Sequence, residues 1–104
     1  MPFVGSVQVE VNLLPPLVNT AGRERIRLQL KGDASLRGVL KALLEKFPDQ
    51  EFYLHLYDTE GRLIPAWNAF INGGPAIRLV TREGQNTPVQ NGDEITLLLA
   101  LAGG

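Results

Sequence analysis

Two segments near the start of the chain alternate strictly between apolar and polar residues. They cover residues 7–13 and 25–31. Because successive side chains of a strand point to opposite faces of a sheet, this period of two predicts strands with one buried face. Leu14-Pro15-Pro16 ends the first strand, and a turn-like stretch leads through Gly22 to the second. We therefore expect a hairpin whose second strand carries charged residues on its outer face.

The spacing of apolar residues changes after Asp33. From there they lie three and four positions apart: Leu36, Val39, Leu40, Leu43, Leu44 and Phe47. This spacing predicts a helix, capped by Ser35 or Asp33 and followed by Pro48. Gly38 within it costs about 1 kcal/mol relative to alanine, and a close approach of helix to sheet is a candidate compensation. We expect the helix to cover one face of the hairpin.

The middle of the chain gives a weaker pattern. Residues 49–65 suit a short packed turn of helix or an irregular segment, with a turn at 58–61. Residues 67–71 predict a third strand. Asn72-Gly73 closes it, since this pair favours the positive φ of a tight turn.

The last third contains a short strand, a loop and a long strand. Residues 77–80 suit a short strand or bridge, 81–88 a polar loop, and 95–100 the final strand, launched by a turn around residues 91–93. Placing the first and last strands side by side in parallel gives the ubiquitin-like β-grasp arrangement. We predict an α+β fold with a mixed sheet of four to five strands and one main helix on one face. A single domain is expected over residues 1–104, with a flexible Gly-Gly tail at about 101–104.

Composition narrows the classes of function. Hydrophobic residues make up 44% of the 104 residues, charged residues make up 20%, and the net charge is -1. This balance gives no electrostatic case for a nucleic-acid or membrane partner. The absence of cysteine excludes disulfides, thiolate metal sites and cysteine nucleophiles. With neither a secretion signal nor a membrane span in the pattern, we expect a cytoplasmic protein.

Conventional catalytic or ligand-binding groups are weakly indicated. His55 is the single histidine and has no cysteine or second histidine with which to form a metal cluster. A structural or solvent-facing role for His55 is favoured over a catalytic one. Asp58 and Glu60 flank a turn and are expected to be solvated. Gly73-Gly74 precedes Pro75 and no helix, which argues against a phosphate-binding loop. We predict no metal site and no bound cofactor.

Two further groups have structural interpretations. Trp67 and Phe70 are expected in the core, since the acidic balance does not favour base stacking. Arg25, Arg27 and Lys31 are expected to form a solvated strand face, with a docking rim for an acidic partner as the alternative.

The sequence ends in Leu101-Ala102-Gly103-Gly104, directly after the final strand. Glycines make the thinnest chain and adopt backbone angles closed to other residues, so this tail suits a narrow slot in a partner. An α-carboxylate is an anion near pH 7 and a poor electrophile. Activation as a mixed anhydride with AMP would let a persulfide or an amine attack the Gly104 carbonyl. The alternative is a frayed terminus.

The whole chain resembles the MoaD/ThiS family of small β-grasp sulfur carriers. The resemblance lies in the order of these segments: 13–23, 25–31, 35–40, Phe47-Pro48, 52–65, Asn72-Gly73, Pro88-Val89, 91–95 and Gly103-Gly104. The segment 52–65 resembles the longer members close to the small subunit of molybdopterin synthase.

The resemblance implies a cycle of activation and transfer. An adenylating, E1-like enzyme uses ATP to activate Gly104, and sulfur replaces one carboxylate oxygen. The resulting thiocarboxylate donates sulfur in the active site of an acceptor enzyme, here the large subunit of molybdopterin synthase in molybdenum cofactor biosynthesis. The chain would be a covalent co-substrate and not an enzyme alone. The alternatives are sulfur supply to thiamine or another thiolated product, a protein modifier conjugated through Gly104, and a passive interaction module.

The final strand also suggests a partner surface. If Ile95, Leu97 and Leu99 face the helix, then Leu98, Ala100 and Leu101 face outward, next to the tail. Together with Ala102 they are the predicted partner-binding residues, because exposed apolar residues beside a functional terminus mark an interaction site. The alternative is that residues 49–65 bury them.

Overall fold

The first two strands form the hairpin that the alternating pattern predicts. A computed structural model describes residues 6–100 of the chain. In it, β1 (Ser6–Leu13) pairs antiparallel with β2 (Arg25–Lys31), with Val9 opposite Leu28. Exposed and buried residues alternate along the whole of β2. One face of the hairpin therefore lies in the core, and the other carries the charged residues.

The last strand lies in the middle of the sheet. β5 (Glu94–Leu99) pairs in parallel with β1 and antiparallel with β3 (Trp67–Ile71). A short β4 (Ile77–Arg78) completes five strands in the order β2-β1-β5-β3-β4. The prediction of an α+β, ubiquitin-like β-grasp fold with a mixed sheet is confirmed.

One long helix packs on the inner face of the sheet. α2 (Leu36–Lys46) begins after Ser35, whose hydroxyl oxygen accepts the backbone N–H of Gly38 at 3.4 Å. The Asp33 carboxylate instead accepts the Ser35 hydroxyl, so Ser35 is the cap and Asp33 holds it in place. The buried residues of the helix are Leu36, Gly38, Val39, Leu40 and Leu43.

Gly38 approaches a different part of the chain from the one predicted. A Cβ atom at this position would lie 1.9 Å from the carbonyl oxygen of Asp33. That atom belongs to the segment leading into α2, so the prediction of a close contact between helix and sheet at Gly38 is wrong. The glycine is needed because the first turn of the helix lies directly against the incoming backbone.

Two connections predicted to be non-helical each contain one turn of helix. They are α1 (Leu17–Ala21) and α4 (Arg82–Gln85). The buried side chain of Leu17 anchors α1, and the Thr81 hydroxyl caps α4 by accepting the Gly84 N–H at 2.8 Å. Turns of this length are too short to show a helical period in sequence. Within residues 6–100, no helix is both long and apolar enough to cross a bilayer.

The segment with the mixed pattern forms α3 (Gln50–Leu56), which is joined to the start of β3. The indole N–H of Trp67 donates to the backbone oxygen of His55 at 2.8 Å, and the Trp67 side chain is fully buried, as predicted. Phe70 is only half-buried, because alternation along β3 directs Trp67 and Ala69 inward and Phe70 outward. Its prediction as a core residue is wrong.

The turn after β3 has the predicted geometry. Asn72 and Gly73 have φ angles of 53° and 74°, and the N–H of Gly74 donates to the Ile71 carbonyl at 2.9 Å. Asn72 also donates through its side chain to Asp93 at 2.9 Å. This contact fixes the turn to the start of β5.

Candidate functional site at the end of β5

The predicted site residues lie at and beyond the end of β5. Leu98 is part of the strand, and Ala100 continues its pairing, since the Ala100 N–H donates to the Ala66 carbonyl at 2.9 Å. The remaining site residues lie outside the described residues: Leu101, Ala102, Gly103 and Gly104. A reactive carboxylate at Gly104, and one domain with a tail over the whole chain, therefore stay predictions.

Strand ends and helices surround the point where β5 ends. Leu97 lies opposite Leu13, the last residue of β1, and Leu99 lies opposite Trp67, the first residue of β3. We call this edge of the sheet the β5 exit. α1 follows β1 here, and α3 is joined to Trp67. The two helices contact each other, and a hydrogen bond of 2.9 Å links Thr20 Oγ1 to His55 Nε2.

An apolar patch lies on the outer face of the sheet beside the β5 exit. Leu97 is 1% exposed, whereas Leu98 is 38% exposed. Phe70 and Ala100 are half-buried at outward positions of their strands. Phe70 and Leu98 are diagonal neighbours across the β3–β5 pair, close enough for side chains to touch. We name Phe70, Leu98 and Ala100 the outer patch; Leu98 is accessible there and is not covered by residues 49–65.

A chain of polar contacts crosses the sheet beside the outer patch. Arg25 Nε donates to Asn12 Oδ1 at 3.1 Å, and Asn12 Nδ2 donates to Glu94 Oε2 at 2.7 Å and to Thr96 Oγ1 at 3.2 Å. These bonds join β2, β1 and β5 and fix the side chains that border the patch. Sequence reasoning missed this network, because its members come together only through the parallel register of β1 and β5.

The other candidate groups have structural roles. His55 bonds Thr20, which fits the structural interpretation. The Asp58 carboxylate accepts the backbone N–H groups of Arg62 and Glu60, each at 2.9 Å. The Arg62 N–H, helped by that of Glu60 and by the Arg62 charge, lowers the pKa of Asp58. The Asp58 carboxylate therefore accepts its hydrogen bonds from its own turn. Within residues 6–100, no group of three residues suited to metal binding occurs.

Several solved structures share this fold. SAMP1 from Haloferax volcanii is 26% identical with a TM-score of 0.73, and the match covers 93% of this chain and 99% of that one. A chain of the Amycolatopsis orientalis BexX/CysO complex is 23% identical with a TM-score of 0.64, covering 92% and 99%. A Pyrococcus furiosus protein described as molybdopterin converting factor, subunit 1, is 15% identical with a TM-score of 0.63, covering 91% and 99%. No protein-family model matches the chain, and no curated protein does.

The sequence motifs, the sheet and these structures agree. The parallel β1–β5 pair at the centre of the sheet is the arrangement that the resemblance implies. The match to SAMP1 extends over nearly the full length of both chains. The chain therefore has the ubiquitin-like β-grasp fold of SAMP1, and its sequence resemblance to the MoaD/ThiS family is consistent with that likeness.

Proposed function

We propose that this chain is a sulfur carrier that acts through Gly104, and that it serves molybdopterin synthesis as the small subunit of the synthase. The observation that carries the proposal is the position of β5, held between two strands and ending beside an accessible apolar patch. Residues 101–104 would reach roughly 13 Å beyond such a base when extended, at about 3.3 Å per residue. That reach suits delivery of a chain end into a partner's active site.

The chemistry requires an external activating enzyme. A carboxylate oxygen of Gly104 attacks the α-phosphate of ATP, and pyrophosphate leaves. The terminal sulfur of a persulfide then attacks the acyl carbon, and AMP leaves. A thiol cleaves the resulting acyl disulfide, which yields the thiocarboxylate. Glycine suits these steps because no side chain crowds the reacting carbon.

The outer patch is the proposed docking surface for the partners. Leu98 supplies exposed apolar area, and Ala100 has a small side chain that does not project far from the sheet. Leu101 and Ala102 follow in the sequence before Gly104. The partners are an adenylating, E1-like enzyme and an acceptor, here the large subunit of molybdopterin synthase. The similarity to a molybdopterin converting factor subunit supports this pathway.

A protein modifier is the second candidate. It is favoured by the similarity to SAMP1 of Haloferax volcanii, which is described as a small archaeal modifier protein. The same activated Gly104 would then be attacked by a lysine amine, with loss of AMP or of an intermediate thiol, to form an isopeptide bond. Sulfur transfer to thiamine or another thiolated product is the remaining acceptor alternative.

Intact-protein mass spectrometry tests the carrier function. The chain ending in Gly104 is incubated with an adenylating enzyme from the same genome, ATP and a persulfide donor. We expect one sulfur to replace one oxygen at the C-terminus, and deletion of Gly104 to abolish the exchange without changing the unfolding curve. An unchanged carboxylate under every condition would falsify the carrier function, whereas conjugates on target lysines would favour the modifier.

Leu98→Asp is expected to weaken activation without loss of stability. A charge in the outer patch opposes burial of this surface by an apolar partner face, so the half-saturating concentration of the carrier for the adenylating enzyme should rise about tenfold or more. The matched control is Leu54→Asp on α3, since Leu54 is 39% exposed and lies outside the sheet. Equal effects of the two substitutions would show that the outer patch is not the docking surface.

A further inference from the structure

β2 is an edge strand with one side of its backbone directed away from the sheet. Its neighbour is β1 alone in the strand order. The N–H of Leu13 donates to the Glu24 carbonyl at 2.7 Å, which fixes the phase of the ladder. In an antiparallel pair the bonded positions alternate, so Arg25, Arg27 and Lys31 direct their backbone groups to the edge. The side chains of these three residues are exposed on the outer face.

An open groove runs between this edge and α2. Leu30 and Ala42 supply its apolar lining, and Gly38 also borders it. The charged residues that line the groove are Lys31, Asp33, Lys41 and Glu45. Asp33 lies before the start of α2 and Glu45 lies near its end, so Lys41 places a cation between the two carboxylates on the helical side of the groove.

Among the described residues, the exposed cations of β2 form no ion pair with a carboxylate. Within residues 6–100 the ion pairs are those of Arg62 with Asp58 and Glu60. Glu10 lies opposite Arg27 in the β1–β2 register without forming an ion pair. A row of charges protects an edge strand from neutral strands, because pairing would bury the charges without compensation. An incoming strand that carries carboxylates opposite these cations removes that penalty.

We propose that the β2 edge binds an extended acidic segment of a partner protein, which adds a sixth strand to the sheet over the groove with α2. Residues opposite Arg25, Arg27 and Lys31 would share the outer face with them and are therefore acidic. The residues between them point toward Leu30 and Ala42 and are therefore small and aliphatic. The occupant is a segment in which aspartate or glutamate alternates with valine or alanine. Backbone pairing at a sheet edge supplies the affinity, and the alternate side chains supply the selection.

This site is separate from the β5 exit. β2 and the β5 exit are separated by β1 in the sheet, and the groove lies on the helix side of the edge. A partner bound at β2 therefore leaves Leu98 and Ala100 accessible. Binding at the β2 edge does not depend on the chemistry of Gly104.

Titration with synthetic peptides tests the proposal. The probe is an eight-residue peptide of alternating aspartate and valine, compared with a lysine–valine peptide of the same length and with an aspartate–valine peptide in which the two residue types form blocks. We expect the alternating acidic peptide to shift the backbone amide NMR signals of residues 25–31 and 38–42, and the affinity to fall as salt is added. The other two peptides should bind at least tenfold more weakly.

Matched charge reversals locate the site. Arg27→Glu is expected to weaken binding of the acidic peptide about tenfold, while Arg82→Glu, the same exposed change on α4, should alter it by less than about twofold. Deletion of Gly104 should leave binding of the acidic peptide unchanged. The binding site at β2 and the carrier function are therefore tested independently of each other. Equal effects of the two reversals, equal binding of all three peptides, or signal shifts confined to the outer patch would overturn the proposal.

Discussion

Replacing Leu97 by alanine is expected to lower the free energy of unfolding by about 2–5 kcal/mol. Leu97 is 1% exposed and lies in the central strand, between Leu13 on β1 and Ala69 on β3. Both neighbouring strands are held by their own pairing, so they cannot close around the space that the missing atoms leave. Urea unfolding followed by circular dichroism measures the loss.

The adjacent leucine is the control for this prediction. Leu98→Ala removes the same atoms one position further along β5, but from a side chain that is 38% exposed on the outer face. Its stability should stay within about 0.5 kcal/mol of the unmodified chain. Comparable losses for the two variants would mean that β5 does not direct Leu97 inward and Leu98 outward.

Gly38→Ala is expected to destabilise the protein by about 2–4 kcal/mol. The usual effect of this substitution inside a helix is the opposite, a gain of about 1 kcal/mol. Here the new Cβ would lie 1.9 Å from the carbonyl oxygen of Asp33. Either the start of α2 or the segment before it must move, which also disturbs the Ser35 cap. The midpoint of urea unfolding reports the change.

A second substitution in the same helix gives the reference for Gly38→Ala. Ala42→Gly introduces glycine on α2, away from the Asp33 carbonyl, and should lower stability by about 1 kcal/mol. Gly38→Ala and Ala42→Gly are opposite substitutions, and both would then destabilise α2. If Gly38→Ala instead raised the unfolding midpoint, the close approach of Asp33 to α2 would be contradicted.

The hairpin and the main helix were predictable because they depend on local periods. Alternation of apolar residues over 7–13 and 25–31, and steps of three and four from Leu36, report directly which side chains a strand or a helix can bury. Positive φ at Asn72 and Gly73 followed from the same kind of local chemistry. These features need no knowledge of what lies across the core.

The features that sequence reasoning missed depend on contacts between distant segments. Phe70 and Trp67 are both large apolar residues of β3. Only the pairing of β3 with β5 decides which of them faces inward. The contact of Asn12 with Glu94 needs the parallel register of the first and last strands. α1 owes its position to the burial of Leu17, a tertiary effect that a five-residue segment cannot signal.

The site was predictable in part. The position of Leu98 followed from alternation along one strand, because that pattern is local. The acceptor pathway could not be predicted from the sequence, because it depends on surfaces of another protein that must fit the outer patch. The acidic-segment site at β2 required the groove as well as the row of cations, since the cations alone are equally consistent with a solvated strand.

The central pairing of β1 with β5 also governs when the protein can fold during synthesis. Asn12 and Thr96, joined across this pair, are 84 positions apart. A nascent chain can form the β1–β2 hairpin and α2 early, but the slot between β1 and β3 stays empty until β5 has left the ribosome. Contacts of such long sequence separation slow folding, because most of the chain must be ordered before they form. The segment that completes the sheet therefore also leads to the proposed reactive end. A prematurely terminated chain would have neither a complete sheet nor a reactive end.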